Sequence, residues 1–406
     1  MKQLLALLTA AMLLLAALSG CAGNGNAGDG DSGAAGSNAG STDAGTDSGT
    51  VKIGLVTAIT GSSSYIGELG LEGANLAVEE INAAGGVNGQ QLELVVADEV
   101  DNVEMSVLAT QELLANDEIM GIVGSVFSAY CLTAMPAVEE AGVPFLCLGS
   151  SSAVSAEKNP YTWQVRPLDS VQGQILADFV VNELGCTNPA IMYSTTSTYA
   201  ALFNNTRTAF EELGVTIPES SVFAFPEDES NYSPYISQVL DGGFDCLVAM
   251  TNQAPAALVC QQAAAAGLTS EVMPLVGCTS YAADLCISNA GGTADGWYSV
   301  SDWAPGGNSE AGAAFEEAYL EAYPERESSD LNSVSIYDAV YILAEAMKLA
   351  GTNTDREAIN TAMQELDFDG AMGHFSYHDD HSFASSLFVT QNVDNKPSVI
   401  TAITYR

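Results

Sequence analysis

Positive charge is scarce in this chain: ten Lys and Arg stand against 51 Asp and Glu, for a formal net charge of −41 at pH 7. A phosphate backbone would be repelled, so nucleic acid is excluded as a partner. Anionic lipid headgroups are disfavoured for the same reason. The acidity itself reads as a solvated surface, since net charge informs association rather than fold. Histidine is rarer still, with three in the whole chain. No Gly-rich phosphate loop, Cys-x-x-Cys pair or His-Glu-x-x-His stretch is present, and Gly291–Ser299 (GGTADGWYS) lacks the strand-then-helix setting of a nucleotide loop. The three histidines, His374, His378 and His381, all fall in GHFSYHDDHSF. A zinc site there is one reading and solvated imidazoles beside a turn the other. The chain therefore gives no sign of a cofactor, and the expectation is that it is not an enzyme.

Long apolar runs are absent except at the start. Lys2 precedes an apolar stretch from Leu4 to Leu18, shorter than the roughly 20 residues a spanning helix needs and fitting the core of a secretory signal. It ends in Leu18-Ser19-Gly20-Cys21, which resembles the lipobox of bacterial lipoproteins. The resemblance implies that residues 1–20 are a signal peptide, that Cys21 is lipidated, and that the chain is anchored to the outer face of the cell membrane. Residues 22–50 are Gly, Ala, Ser, Thr, Asn and Asp with no large apolar side chain. Such a segment is expected to be a disordered tether with a root-mean-square span of about 30 Å.

Eight cysteines suggest a disulfide framework, but lipidation of Cys21 leaves an odd number. Cys147, Cys246 and Cys260 lie in apolar contexts where a free thiol behaves as a small hydrophobe. Cys278 and Cys286 are the closest in sequence, and no pairing follows from that.

Residues 51–406 are too many for one core of usual size, so two lobes are expected. Strands are predicted at Val51–Thr57, Leu92–Ala97, Met120–Ser125, Pro144–Leu148, Ala190–Tyr193, Cys246–Met250, Pro274–Val276 and Gly296–Val300. Helical spacing separates them, as at Leu71, Ala74, Val78 and Ile81, which share one face. This alternation predicts an α/β fold with parallel-type sheets covered on both faces. The apolar helix Val334–Leu349, followed by strands at Gly373–Tyr377, Ser386–Thr390 and Ile400–Tyr405, predicts a chain that recrosses between lobes.

The tips of two predicted strands draw attention, because open α/β sheets bind ligands beyond the carboxyl ends of their strands. Ser128 follows Met120–Ser125 and precedes the helical stretch Leu132–Ala141, where free N–H groups and partial positive charge favour a carboxylate. Capping of that helix is its commoner role. Ser150, Ser151 and Ser152 follow the next buried strand in the same setting, and a bland loop is the alternative. Asp169 supplies a counter-charge for an ammonium, or else is a surface or hinge carboxylate. Tyr65, Tyr130 and Tyr199 are candidate cleft aromatics, with Trp303 near a crossover; each serves equally as core.

The stretch VKIGLVTAITGSSSYIGELGLEGANLAVEEINAAGGVNGQQLELVVAD is similar to the opening of the Leu/Ile/Val-binding proteins of ABC transporters. GIVGSVFSAY, AGVPFLCLGSSS, RPLDSVQGQ and SIYDAVYILAEAM match in order. The resemblance implies the type 1 periplasmic-binding fold: two Rossmann-like lobes joined by three hinge crossovers. Lobe 1 would comprise residues 51–170 and 303–372, and lobe 2 residues 171–302 and 373–406. A small amino acid, branched-chain or similarly apolar, would be captured in the cleft and delivered by a monomer to an ABC permease.

By the same resemblance Ser128 contacts the ligand carboxylate, and Gly149 and Ser151 supply carbonyl and hydroxyl contacts. Asp169 lies near the ammonium, and Tyr199 is a cleft tyrosine of the second lobe. The chain departs from the pattern at several positions. Ile66 replaces a tyrosine, with Tyr65 one place earlier; Tyr199 is followed by Ala200-Ala201-Leu202 rather than a glycine turn; Thr279 stands where an acid is usual; and the tyrosine expected after Cys246–Met250 falls near Asn252. The first-lobe half of an amino-acid site is retained and the second-lobe half altered. A sensory receptor for another small carboxylate or amide is the alternative, and a hydrolase or metal-dependent enzyme the remaining one.

Overall fold

Parallel strands buried on both faces need continuous apolar runs rather than alternating ones, and this chain supplies them repeatedly. The computed structural model describes residues 49–100, 102–305, 309–383 and 386–404; the expected signal peptide, Cys21 and the expected tether lie outside the described residues. The first lobe begins with β1 (Thr50–Thr57), α1 (Ser64–Ala83), β2 (Gln91–Asp98), α2 (Val103–Leu114), β3 (Ile119–Gly124), α3 (Ser128–Ala141), β4 (Phe145–Cys147), α4 (Ser152–Ala156) and β5 (Thr162–Gln164). Its sheet runs β2-β1-β3-β4-β5, with every pairing parallel. All six residues of β3 are buried, as a central strand between helical layers requires.

After β5 the chain crosses to the second lobe. There follow α5 (Asp169–Asp178), β6 (Pro189–Ser194), α6 (Ser197–Glu212), β7 (Val222–Phe225), α7 (Ser233–Asp241), β8 (Cys246–Met250), α8 (Gln253–Ala265), β9 (Leu275–Gly277), α9 (Asp284–Ala290) and β10 (Tyr298–Ser301). The chain then returns for α10 (Glu310–Ala322), α11 (Leu331–Ala350), α12 (Arg356–Ala362), β11 (Asp367–Gly370) and β12 (Gly373–Ser376). It ends with β13 (Ser386–Val393) and β14 (Lys396–Thr404). The second sheet is ordered β14-β13-β10-β9-β8-β6-β7. Strands β6 to β10 pair in parallel, and β13 and β14 add antiparallel to the edge.

The apolar side chains divide accordingly. One cluster packs Val171, Ile175 and Leu176 of α5 against Ile191, Val248 and Val276 of the second sheet. On one face of the first sheet Ile53, Leu55 and Val123 meet Val334, Leu343 and Met347 of α11. On the other, Ile122 and Phe145 meet Cys131 and Val138 of α3. Close helix contact has a sequence cause: a Cβ on Gly73 would lie 2.0 Å from the Ser333 carbonyl oxygen, so α1 and α11 approach backbone to backbone.

Three expectations are corrected. The return to the second lobe falls later than residue 373, because β12 pairs with β11 and Phe375 and Phe383 are buried in the first-lobe core. The short strands β5 and β7 escape the sequence reading: Thr-Trp-Gln and Val-Phe-Ala-Phe are too brief to show a period. Helix α3 starts at Ser128 rather than Leu132, with Phe127 at the cap position.

Cys131, Cys147, Cys186, Cys246, Cys260, Cys278 and Cys286 are free and buried, including the neighbours in sequence Cys278 and Cys286. His374 pairs through Nδ1 with Asp369 at 2.7 Å. Among the described residues no group of three or more His, Cys, Asp or Glu is arranged to hold a metal ion, and no helix is long and apolar enough to cross a membrane.

Candidate functional site

The loops that follow β3, β4 and β5 leave the carboxyl edge of the first sheet together, and their spacing is tight. A Cβ on Gly149 would meet the Ser128 Cα at 2.7 Å and its Oγ at 2.9 Å. Only glycine lets the two loops approach this closely. The Ser151 amide donates to Ser128 Oγ at 3.2 Å, which leaves the Ser128 O–H proton for another acceptor. Phe127 offers no side-chain cap to α3; its own amide donates to Ser125 Oγ at 3.2 Å and that of Tyr130 to the Phe127 carbonyl at 2.9 Å, so the Ser128 and Ala129 amides are the ones left to an anion. Ser128 thus starts a helix without capping it. Ser151 does cap one: its Oγ accepts from Ala153 N–H at the start of α4. Gln164 braces the loop from behind, donating to the carbonyls of Gly149 at 2.6 Å and Ser151 at 3.1 Å.

Asp169 begins α5, where the chain has just entered the second lobe. Its N–H donates to the Ser150 carbonyl at 2.8 Å, tying the hinge to the serine loop. The side chain is only 5% exposed, and its Oδ2 has no hydrogen-bond partner. Burial pushes its carboxyl above the ordinary range, opposed by the Ser150 hydroxyl and the nearby Arg166 guanidinium.

Arg166 is one of the chain's few cations, and the sequence reading passed over it. Its Nε meets Asp302 Oδ2 at 2.6 Å, joining the first crossover to the second. Burial works against its charge, but Asp302, followed by Asp169, raises its pKa overall. Asp302 is 2% exposed and keeps Oδ1 without a partner. The signal that could have singled out Arg166 is the rarity of its charge at the head of the matching stretch RPLDSVQGQ. Nothing local marks Asp302 as its partner 136 positions away.

The second lobe contributes Tyr199, Asn252 and Thr279. The Tyr199 hydroxyl donates to Asn252 Oδ1 at 3.0 Å and lies 3.1 Å from Ser280 Oγ. Loss of water around that hydroxyl raises its pKa, with Cys278 and then Asp169 adding to the rise and Ser280 and Arg166 opposing it. Thr279 is hydrogen-bonded by Gln172 Nε2 and donates to the Val300 carbonyl at 3.2 Å. Its hydroxyl is used inside the lobe. Tyr65 stands apart from the serine loops: its hydroxyl donates across the lobes to Asp284 Oδ2 at 3.2 Å, and the Arg326 guanidinium lies 5.4 Å from its ring centroid. Tyr130 packs on Phe127 with ring centroids 5.0 Å apart. Trp303 is buried, with Nε1 donating to Ser329 Oγ at 2.9 Å.

A cavity of about 290 Å³ opens between the lobes, lined by Thr279 and Asp284 from one and Asp330 from the other, with Ser301 and Trp303 at the crossover. The whole arrangement offers hydroxyl and amide donors on one side and unsatisfied carboxylate oxygens on another. Of the predicted ligand-binding residues, Thr279 alone is among those that line this cavity.

A family model described as "Periplasmic binding protein" matches residues 50–397. The leucine-, isoleucine-, valine-, threonine- and alanine-binding protein of Pseudomonas aeruginosa is 24% identical over 338 residues, covering 81% of this chain and 86% of that protein. An amino acid binding protein of the same organism is 26% identical over 224 residues, 55% of this chain and 59% of its own length; the chain thus spans less than two thirds of that relative. Among solved structures, the branched-chain amino acid transporter substrate binding protein LivJ of Streptococcus pneumoniae, in complex with isoleucine, superposes with a TM-score of 0.77. It is 23% identical, over 88% of this chain and 99% of that one. A solute binding protein of an ABC transporter from R. palustris, in complex with benzoate, gives a TM-score of 0.76 at 18% identity, over 87% and 96% of the two chains.

Proposed function

The chain belongs to the periplasmic binding protein family, and from that premise we propose that it is a lipid-anchored, extracytoplasmic solute-binding protein that captures a small amino acid for an ABC permease. The observation that carries the reading is the convergence of Ser128, Gly149 and Ser151 at the strand tips, with the unpartnered Oδ2 of Asp169 beside them. A carboxylate suits the Ser128 and Ala129 amides and the Ser128 hydroxyl, and an ammonium suits Asp169. The isoleucine and benzoate held by the two similar structures share a carboxylate, the group this edge of the sheet would take. Tyr199 and Asn252 would close over the solute from the second lobe. The fold supports a hinge mechanism, in which ligand shifts the population toward the closed state by its higher affinity for that state. The lipid anchor rests on the Leu18–Cys21 stretch and the permease partner on the family.

A thermal-shift screen of amino acids, small amides and aromatic acids, followed by calorimetry, tests the proposal. Binding of at least one α-amino acid at a micromolar constant, about −8 kcal/mol, is the expected result. A screen in which only acids lacking an amino group bind would transfer the reading to a carboxylate receptor. Mass spectrometry of the membrane fraction should find a diacylglyceryl group on Cys21.

A further inference from the structure

The serine loops and Asp169 account for the head group of an amino acid and leave its other end unassigned. The cavity between the lobes, which meets the candidate site at Thr279, has a one-sided chemistry. Asp284, Glu316, Glu327 and Asp330 line it, and Lys396, exposed at its rim, is the one cation among its lining residues. Two of these carboxylates already have work that leaves little over. Glu316 accepts from the Ser329 amide and hydroxyl, and Glu327 is exposed to solvent.

Asp284 and Asp330 differ from them. Asp330 is 3% exposed. Its Oδ1 accepts from the Asn332 amide and side chain at 2.9 and 2.6 Å, whereas its Oδ2 is buried with no hydrogen-bond partner. Asp284 enters from the other lobe, at the start of α9, and its carboxylate accepts from the neutral Tyr65 hydroxyl. The nearby guanidiniums are committed elsewhere: Arg166 to Asp302 at 2.6 Å, and Arg326 to Glu72 at 2.6 Å and Glu68 at 3.1 Å. Like charges facing one another across a hinge oppose closure, and a buried carboxylate oxygen without a donor is costly. Both penalties vanish if the solute itself brings a cation.

We infer that the captured solute is a basic amino acid, its side-chain cation seated between Asp284 of the second lobe and Asp330 of the first. This deepens the reading of the chain as an amino-acid-binding protein and rests on it. It replaces the branched-chain side chain that the resemblance implies. The aliphatic stem would run past Trp303 and Leu320, and the terminal ammonium or guanidinium would supply the missing donor to Asp330 Oδ2.

Calorimetry on the full chain with L-lysine, L-ornithine, L-arginine, L-norleucine and L-leucine tests it, norleucine sharing the lysine stem without the amine. At least one basic amino acid should bind tenfold or more tighter than norleucine and leucine. Asp284→Asn and Asp330→Asn should each weaken that ligand at least tenfold while changing norleucine binding less than threefold. Asparagine keeps the cap acceptor at position 330, and thermal unfolding of each variant checks the fold. Leucine or norleucine binding tighter than every basic amino acid, with both Asn variants indistinguishable from the parent, overturns the inference. If that neutral binding is lost in Ser128→Ala, the amino-acid reading survives and the cationic one alone fails. Absence of binding by all five overturns the cationic inference, and the amino-acid reading falls with it when the wider screen also finds no α-amino acid bound.

Discussion

Asp169 holds one carboxylate oxygen out of water with nothing bonded to it, a state that favours any ligand able to donate there. Replacing Asp169 or Ser128 by Ala should therefore weaken ligand binding by about 1.5–3 kcal/mol each, the range for hydrogen bonds to charged groups, read by calorimetry with the fold intact. Ser151→Ala should lose affinity too, but also stability, by about 0.5–2 kcal/mol, because its hydroxyl caps α4. Gly149→Ala should abolish binding more fully than any of these, since the added methyl would force the serine loop off Ser128; wild-type affinity in that variant would mean the two loops do not form one site. The placement of Ser128 and Ser151 was legible in sequence because each follows a buried apolar run, and position at a strand's end is local information; Asp169 follows the short β5, which was not read, and drew notice through the resemblance of RPLDSVQGQ. Capping was the alternative weighed for Ser128, which does not cap, whereas the cap that Ser151 makes on α4 was not read from the sequence. Which serine caps depends on the backbone path by which the chain leaves β3 and β4.

On the scale of elements, α11 shows how a buried charge serves the fold. Asp338 on this helix accepts from the amides of Ala371 and Met372 at 2.8 and 2.7 Å, pinning the turn between β11 and β12. Burial raises its pKa to about 7, against the opposing pull of those two amides. A raised carboxyl pKa means the folded chain holds a proton that the unfolded chain releases. Its contribution to stability is therefore full below about pH 4 and is lost as pH rises to about 7, by at most roughly 1.4 kcal/mol for each pH step of one across that window. Asp338→Asn should flatten the fall in stability between pH 5 and 7 that this group produces, measured by urea unfolding at several pH values; an unchanged slope would remove Asp338 as its source. The helix itself was plain from its apolar spacing. Its hold on a distant hairpin was not, and the 373 boundary was misplaced for that reason: four residues of β12 carry no mark of the core they join.

For the whole molecule, two α/β lobes meet at three crossings, and the Arg166–Asp302 pair bridges two of them. Small-angle scattering should show a smaller radius of gyration on saturation with the ligand found by calorimetry; no compaction with a bound solute would contradict hinge closure. The sequence alone determined the alternation of strands and helices, the acidic surface and the division into two lobes. Each of these is written in composition or in the spacing of near neighbours, where the period of burial can be read directly. Only the tertiary structure decided which carboxylates share a guanidinium and which are left without one. Arg166 finds Asp302 across 136 positions, and Tyr65 finds Asp284 across 219. No local pattern records a contact made by bringing two lobes together, and the charge balance of the cleft is set by contacts of that kind.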